Sequence, residues 1–174
     1  MGADIFTETE RLILRKMKPS DIPALRRILQ DPEVMYAYEG PFSDEEVQVW
    51  LDRQLARYRE EGFGLCAVVL RETGEMIGQC GLTMQDIPGK RIIEVGYLFQ
   101  KACWHQGYAT EAAIACREYA FSTLGADAVY SIIRETNIAS QNVARRNGMV
   151  RIGSFTKHYR GIDMPHIIFR VRRI

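Results

Sequence analysis

From Gly107 to Leu124 apolar groups recur at Ala109, Ala112, Ala113, Cys116, Ala120, Phe121 and Leu124. That is the period of about 3.6 residues that marks a helix with a buried face. The chain before it is of another kind. Phe63 to Leu70, Met76 to Gln85 and Ile92 to Phe99 are apolar runs of strand length, separated by the turn formers Glu72-Thr73-Gly74-Glu75 and Asp86-Ile87-Pro88-Gly89. A meander that hands over to a long helix calls for a sheet that carries helices.

The flanks extend this frame. Arg11-Leu12-Ile13-Leu14-Arg15 is a short apolar run between charges and makes the first strand. Ser20 precedes Asp21 and the stripe Ile22, Leu25, Ile28, Leu29, a helix expected to start on a Ser20 cap and to end at Asp31-Pro32. Ser43 with Glu46 is a capping box, opening a helix towards Gly62 with Val47, Trp50, Leu51, Leu55 and Tyr58 buried. Beyond the long helix come a strand at Ala128 to Ile133 and a short helix from Ala139 to Asn147 closed by Gly148. Two strands, Val150 to Lys157 and Met164 to Val171, finish the chain. The order predicts an α/β (α+β) fold, one mixed sheet with helices on both faces, forming a single domain over residues 1–174.

Composition narrows the functions open to it. With 23 Lys+Arg against 22 Asp+Glu, the net charge of +1 gives no general reason for a nucleic-acid partner, so any anion site must be local. Hydrophobic residues at 47% suit a soluble globular chain, and no apolar run approaches the ~20 residues of a membrane span. The first residues do not form a secretory signal, and Phe6 stands where a myristoylation motif at Gly2 wants Ser or Thr. Cys66, Cys80, Cys103 and Cys116 form no C-x-x-C pair; three lie among apolar residues, as reduced thiols of a cytoplasmic protein would. Three histidines without H-E-x-x-H give no expectation of a metal, and Gly89-Lys90-Arg91 breaks the P-loop pattern.

Two stretches carry chemistry. In the first, Glu94-Val95-Gly96-Tyr97-Leu98-Phe99 enters a tight turn, Trp104-His105-Gln106-Gly107-Tyr108-Ala109-Thr110-Glu111-Ala112, from which the long helix starts on small residues. The free amides and positive dipole end of a helix start form a nest for phosphate, although an ordinary strand–helix turn has the same local pattern. In the second, Asn137 and Ser140 lie three apart at the start of the short helix, spaced either to face the preceding strand end or simply to cap free amides. Arg145 and Arg146 follow at its C-terminus, where the helix dipole favours cations in any case.

Together with Thr9-Glu10-Arg11-Leu12-Ile13-Leu14-Arg15, Ser20-Asp21, Asp31-Pro32-Glu33-Val34 and Tyr159-Arg160-Gly161 with Asp163, these stretches resemble the GNAT superfamily of acetyl-CoA-dependent N-acyltransferases, and within it the RimJ/RimL-like branch. The resemblance covers nearly the whole chain. It implies a mostly antiparallel sheet with a central splay between the Glu94 and Ala128 strands, where pantetheine pairs with main-chain groups of Tyr97, Leu98 and Phe99. It implies a pyrophosphate on the amides of Gln106, Gly107, Tyr108, Ala109 and Thr110, with Asn137 and Ser140 on the pantetheine arm and Arg146 on the ribose phosphate. Trp104 takes a position that is usually Arg or Gln in the wider superfamily and typically Trp in this branch.

The implied reaction is attack by an amine on the acetyl thioester. The Leu98 N–H is expected to stabilise the oxyanion and the Ser140 hydroxyl to hydrogen-bond the departing sulfur, since Ala144 fills the position where many members carry a tyrosine acid. Glu94, on one strand face with Gly96 and Leu98, is the candidate base; its alternative is a surface ion pair with Lys90 or Arg91. A lysine-type amine of pKa ~10.4 costs about 4.6 kcal/mol to deprotonate at pH 7, an α-amine near ~7.8 about 1.1, so an α-amine needs little beyond positioning. Tyr36, Tyr38, Glu39, Trp50 and Tyr159 are candidates for the acceptor pocket, and Cys103 is not expected to act as a nucleophile. The acceptor is a protein N-terminus or a small molecule such as an amino acid, polyamine or aminoglycoside, with an acidic cleft favouring the cationic ones. A non-catalytic acyl-CoA sensor is the reading from another class. A homodimer is open to such a chain; a membrane or nucleic-acid partner is not expected.

Overall fold

The computed structural model describes residues 4–174; residues 1–3, including Gly2 of the lipidation pattern, lie outside the described residues. In chain order the strands are β1 (Ile5–Glu8), β2 (Leu12–Arg15), β3 (Leu65–Leu70), β4 (Met76–Ile87), β5 (Lys90–Phe99), β6 (Ala128–Arg134), β7 (Val150–Tyr159) and β8 (Ile162–Arg172). The helices are α1 (Ile22–Leu29), α2 (Asp44–Glu60), α3 (Tyr108–Ser122) and α4 (Ile138–Arg146). The strands form one sheet in the order β1-β2-β3-β4-β5-β6-β8-β7. Each neighbouring pair is antiparallel except β5 and β6, which run parallel.

Each face of the sheet has its own core. On one, Ala112, Ala113, Cys116 and Ala120 of α3 and Val143 and Ala144 of α4 pack on Leu12, Leu14, Val68, Cys80, Val95 and Phe169. The small residues of α3 let its backbone approach the strands closely. On the other, Leu25, Ile28 and Leu29 of α1 and Val47 and Leu51 of α2 pack on Leu65, Ala67 and Val69. The capping box forms as the spacing predicts: the Ser43 hydroxyl accepts the Glu46 N–H at 3.1 Å and the Glu46 carboxylate accepts the Ser43 N–H at 3.2 Å. Such a cap is worth about 1 kcal/mol.

Two expectations are corrected. The chain begins with a hairpin, β1 and β2, instead of one strand; four partly exposed residues, Ile5–Glu8, are too short to show a period. Nor does Ser20 cap α1. Pro19–Asp21 form a 3-10 turn, and the buried Asp21 accepts the Lys18 N–H at 2.9 Å and the N–H groups of both terminal guanidinium nitrogens of Arg15 at 2.8 and 2.9 Å. That forked pair raises the Arg15 pKa and fixes the α1 start to β2.

Candidate active site

Parallel strands β5 and β6 touch through one register pair, Glu94 with Tyr130, and then part. Two side chains take over where the main chains stop bonding. The Ser131 hydroxyl donates to the Val95 carbonyl at 2.8 Å, and the Ile132 N–H donates to the Glu94 carboxylate at 2.9 Å. Past them the gap widens to the start of α4, where the Tyr97 hydroxyl donates to the Ser140 carbonyl at 2.7 Å.

The wedge opens into a cleft of about 360 Å³. Glu94, Gly96, Leu98, Ile132, Asn137 and Ser140 line it near the gap, and Tyr38, Trp50, Gln79, Lys157 and Tyr159 line it on the α2 side. Burial pushes the Glu94 carboxyl up to about 7, against the opposing pull of Lys157, the Ile132 N–H and Arg57. The surface ion pair open to it in sequence does not form: Lys90 donates to the Tyr130 hydroxyl, and Arg91 pairs with Glu61.

The direction of the main-chain groups follows from strand alternation. The β4–β5 ladder runs unbroken from Gly78–Phe99 to Ile87–Lys90. Gln100 N–H continues it by donating to the Ile77 carbonyl, whereas the Val95 carbonyl meets Ser131 on the other side. Even-numbered residues of β5 therefore spend their main-chain groups on β4, and Val95, Tyr97 and Phe99 turn theirs towards the gap. This corrects the expectation for Leu98: its N–H pairs with β4 opposite Gln79, and only its side chain reaches the cleft. The N–H groups that face the gap are those of Tyr97 and Phe99. Trp104 caps this edge by donating its indole N–H to the Phe99 carbonyl at 3.0 Å.

The turn into α3 is held from outside. Gly107 stands at the helix N-cap with φ +81°, a left-handed conformation that costs glycine little. Among the described residues no side chain caps the first-turn amides, so the N–H groups of Tyr108, Ala109 and Thr110 stay available. Arg11, from the β1–β2 turn, donates to the Gln106 carbonyl at 2.9 Å, stacks over the Tyr108 ring at 4.4 Å and pairs with Glu111 at 2.7 Å. Burial pushes the Glu111 carboxyl up, but the Thr9 hydroxyl and the Arg11 main chain and guanidinium outweigh it and hold the group below the usual range.

Asn137 is the cap of α4, its Oδ1 accepting the Ser140 N–H at 3.1 Å, and it also lines the cleft. Arg146 lies exposed on α4. Of the aromatic candidates, Tyr38 meets Trp50 and Tyr159 edge to face at 6.0 and 6.4 Å on the cleft wall. Tyr36 and Glu39 do not line it: the Tyr36 carbonyl and the Glu39 carboxylate both engage Arg134. Cys103 is half-buried, and burial raises its thiol pKa.

Residues 11–150 match the family described as the Acetyltransferase (GNAT) domain. The chain belongs to the GNAT acetyltransferases. It is 34% identical over 150 residues, 86% of its own length and 87% of the relative's, to the uncharacterized protein YkkB of Bacillus subtilis (strain 168). An acetyltransferase from Agrobacterium tumefaciens str. C58 has the same fold at a TM-score of 0.80 and 30% identity, over 96% of this chain and 94% of that one. RimL, a ribosomal L7/L12 α-N-protein acetyltransferase solved with coenzyme A, aligns at a TM-score of 0.78 over 97% and 98%, at 18% identity. This GNAT chain is therefore an enzyme, and its family implies acetyl-CoA binding. The residues present fit that cosubstrate: an open strand edge with outward N–H groups leads to a helix start whose amides carry no cap.

Sequence reasoning missed the charge of the cleft. Arg53, Arg57, Arg134 and Lys157 line it, and Glu94 is its one carboxylate among the described residues. Arg53 and Arg57 lie one helical turn apart and read in sequence as a solvated helix face; no local signal places them opposite Lys157.

Proposed function

We propose that this GNAT enzyme acetylates a primary amine by direct attack, with Glu94 taking the amine proton. The observation that carries the reading is the Glu94 carboxyl, at the point where β5 and β6 part and with its pKa near 7. A base is most useful when its pKa lies near the working pH. When bound, acetyl-CoA supplies an activated thioester.

The residues around it divide the remaining work. The N–H groups of Tyr97 and Phe99 hold the pantetheine arm, and one of them steadies the oxyanion in place of Leu98. The amides from Gln106 to Thr110 hold the pyrophosphate, with Arg11 bracing the Gln106 carbonyl from behind. Asn137 has its Oδ1 committed to the cap, which leaves Nδ2 for the pantetheine arm. Ser140 donates its hydroxyl to the departing sulfur, and Arg146 meets the ribose phosphate. The whole chain acts as one domain, in a reducing cytoplasm that suits its free cysteines.

A protein N-terminal α-amine or a small α-amino compound is the favoured acceptor: a peptide α-amine near pKa ~7.8 leaves Glu94 about 1.1 kcal/mol to supply at pH 7, and a free amino acid, whose own carboxylate raises the amine pKa, asks more of it. Release of free thiol from acetyl-CoA across amino acids, N-terminal peptides, polyamines and aminoglycosides tests the reading. Transfer to at least one α-amine is expected; acetyl-CoA binding without transfer to any amine would overturn it.

A further inference from the structure

The cleft that receives the amine is basic, the reverse of what a polyamine or aminoglycoside needs. Arg53, Arg57 and Lys157 line it, and none makes an ion pair among the described residues. Arg134 in the same cleft is neutralised by Glu39, and His158 is paired with Asp163. Burial holds His166 below its ordinary pKa. Among the described residues Arg57 donates only to the neutral Gln54 oxygen, at 3.2 Å. Burial lowers its pKa, and the charge of Arg53 lowers it further: two guanidiniums face a common space. Glu94 alone cannot balance three cations, and it is needed at the gap.

A second observation is independent of charge. Gln79 is 1% exposed and lines the cleft. Its Oε1 accepts the Trp50 indole N–H at 2.9 Å, which fixes the amide orientation because indole only donates. Its Nε2 is then a buried donor with no partner among the described residues. A buried donor left unbonded costs about 1–3 kcal/mol, so this group is set to meet an acceptor oxygen.

We propose that the acceptor carries a carboxylate beside its amine, seated between Arg53 and Arg57 of α2 and Lys157 of β7 with Gln79 Nε2 as the neutral donor. This deepens the acetyl-transfer reading and rests on it. The same cations also disfavour a protonated amine, so the site that holds the carboxylate helps present the nucleophile uncharged. The carboxylate belongs either to a free α-amino acid or to an acidic residue at a peptide N-terminus.

The test uses the full chain and pairs of acceptors that differ in that charge, with each kcat/KM expressed per unprotonated amine because a carboxylate beside an amine raises its pKa. One arm compares L-leucine with L-leucinamide. The other compares Asp-Ala-Ala with Asn-Ala-Ala, both amidated at the C-terminus, with spermidine as the cationic control. The carboxylate member should lead by about tenfold or more in kcat/KM in at least one arm, the scale of a charge-assisted hydrogen bond. Arg53→Gln and Lys157→Gln should erase that lead through KM; both side chains reach solvent, so folding is retained. Neutral members that match their acids in both arms, or spermidine as the best acceptor, would overturn the inference while leaving acetyl transfer intact. Calorimetry on CoA-saturated protein separates the two ideas. N-acetyl-L-leucine that binds where N-acetyl-L-leucinamide does not, with no turnover of any amine, keeps the anion seat and removes the transferase reading; equal binding without turnover removes both.

Discussion

Glu94 accepts the main-chain N–H of Ile132 at 2.9 Å across the line where their strands separate. One carboxylate thereby does what a ladder bond would do elsewhere, and it does so from inside a cleft. Its second oxygen remains for an amine.

The first consequence is a pH profile. With the Glu94 carboxyl near 7, kcat/KM should rise with pH through about 7 as the base ionises. Glu94→Gln should remove the part of that limb set by the enzyme, leaving only the rise from the amine's own ionisation, and lower the rate about 10²–10⁴-fold above pH 7. An unchanged limb in the variant would assign the titration to another group.

The second concerns stability. An unfolded glutamate titrates near ~4.3, and the folded one near 7. Between these values the folded chain binds more protons, so the Glu94 contribution becomes less favourable as pH rises through the window. Glu94→Gln should therefore gain thermal stability relative to the parent at pH 8 and gain little at pH 5. Melting curves at both values check the sign.

Asn137 offers a separation of roles. Asn137→Ala removes the α4 cap and should cost about 1 kcal/mol, or ~2–4 °C in Tm. Asn137→Asp keeps the capping oxygen but loses the Nδ2 donor. It should restore the Tm and leave KM for acetyl-CoA raised; recovery of both would reduce Asn137 to a cap.

The turn into α3 is braced through Arg11 and Glu111, so Arg11→Met should raise KM for acetyl-CoA about threefold to tenfold with little change in KM for the amine. Saturation curves in each substrate distinguish this from a general loss of fold.

Most of the frame was legible because it rests on local chemistry. The α3 period, the Ser43–Glu46 box and the strand runs around Leu65–Leu70 and Lys90–Phe99 each need only near neighbours in sequence. Three features did not follow from sequence. The main-chain direction at Leu98 depends on which neighbour takes the odd residues of β5, and that is settled by Gln100 and Ser131 in different strand pairs. Glu94 had two partners within its own hairpin, and their commitment to Tyr130 and Glu61 became visible only in three dimensions. The basic cleft joins α2 to β7, whose cations look in sequence like ordinary solvated charges.

The Tyr97 phenol that reaches the Ser140 carbonyl acts as a crossbar. It makes the width of the crevice a property of one rigid ring instead of the sum of many soft contacts. Evolution or an engineer could thus regauge the mouth for bulkier acyl chains by altering a single strut, leaving both walls as they stand.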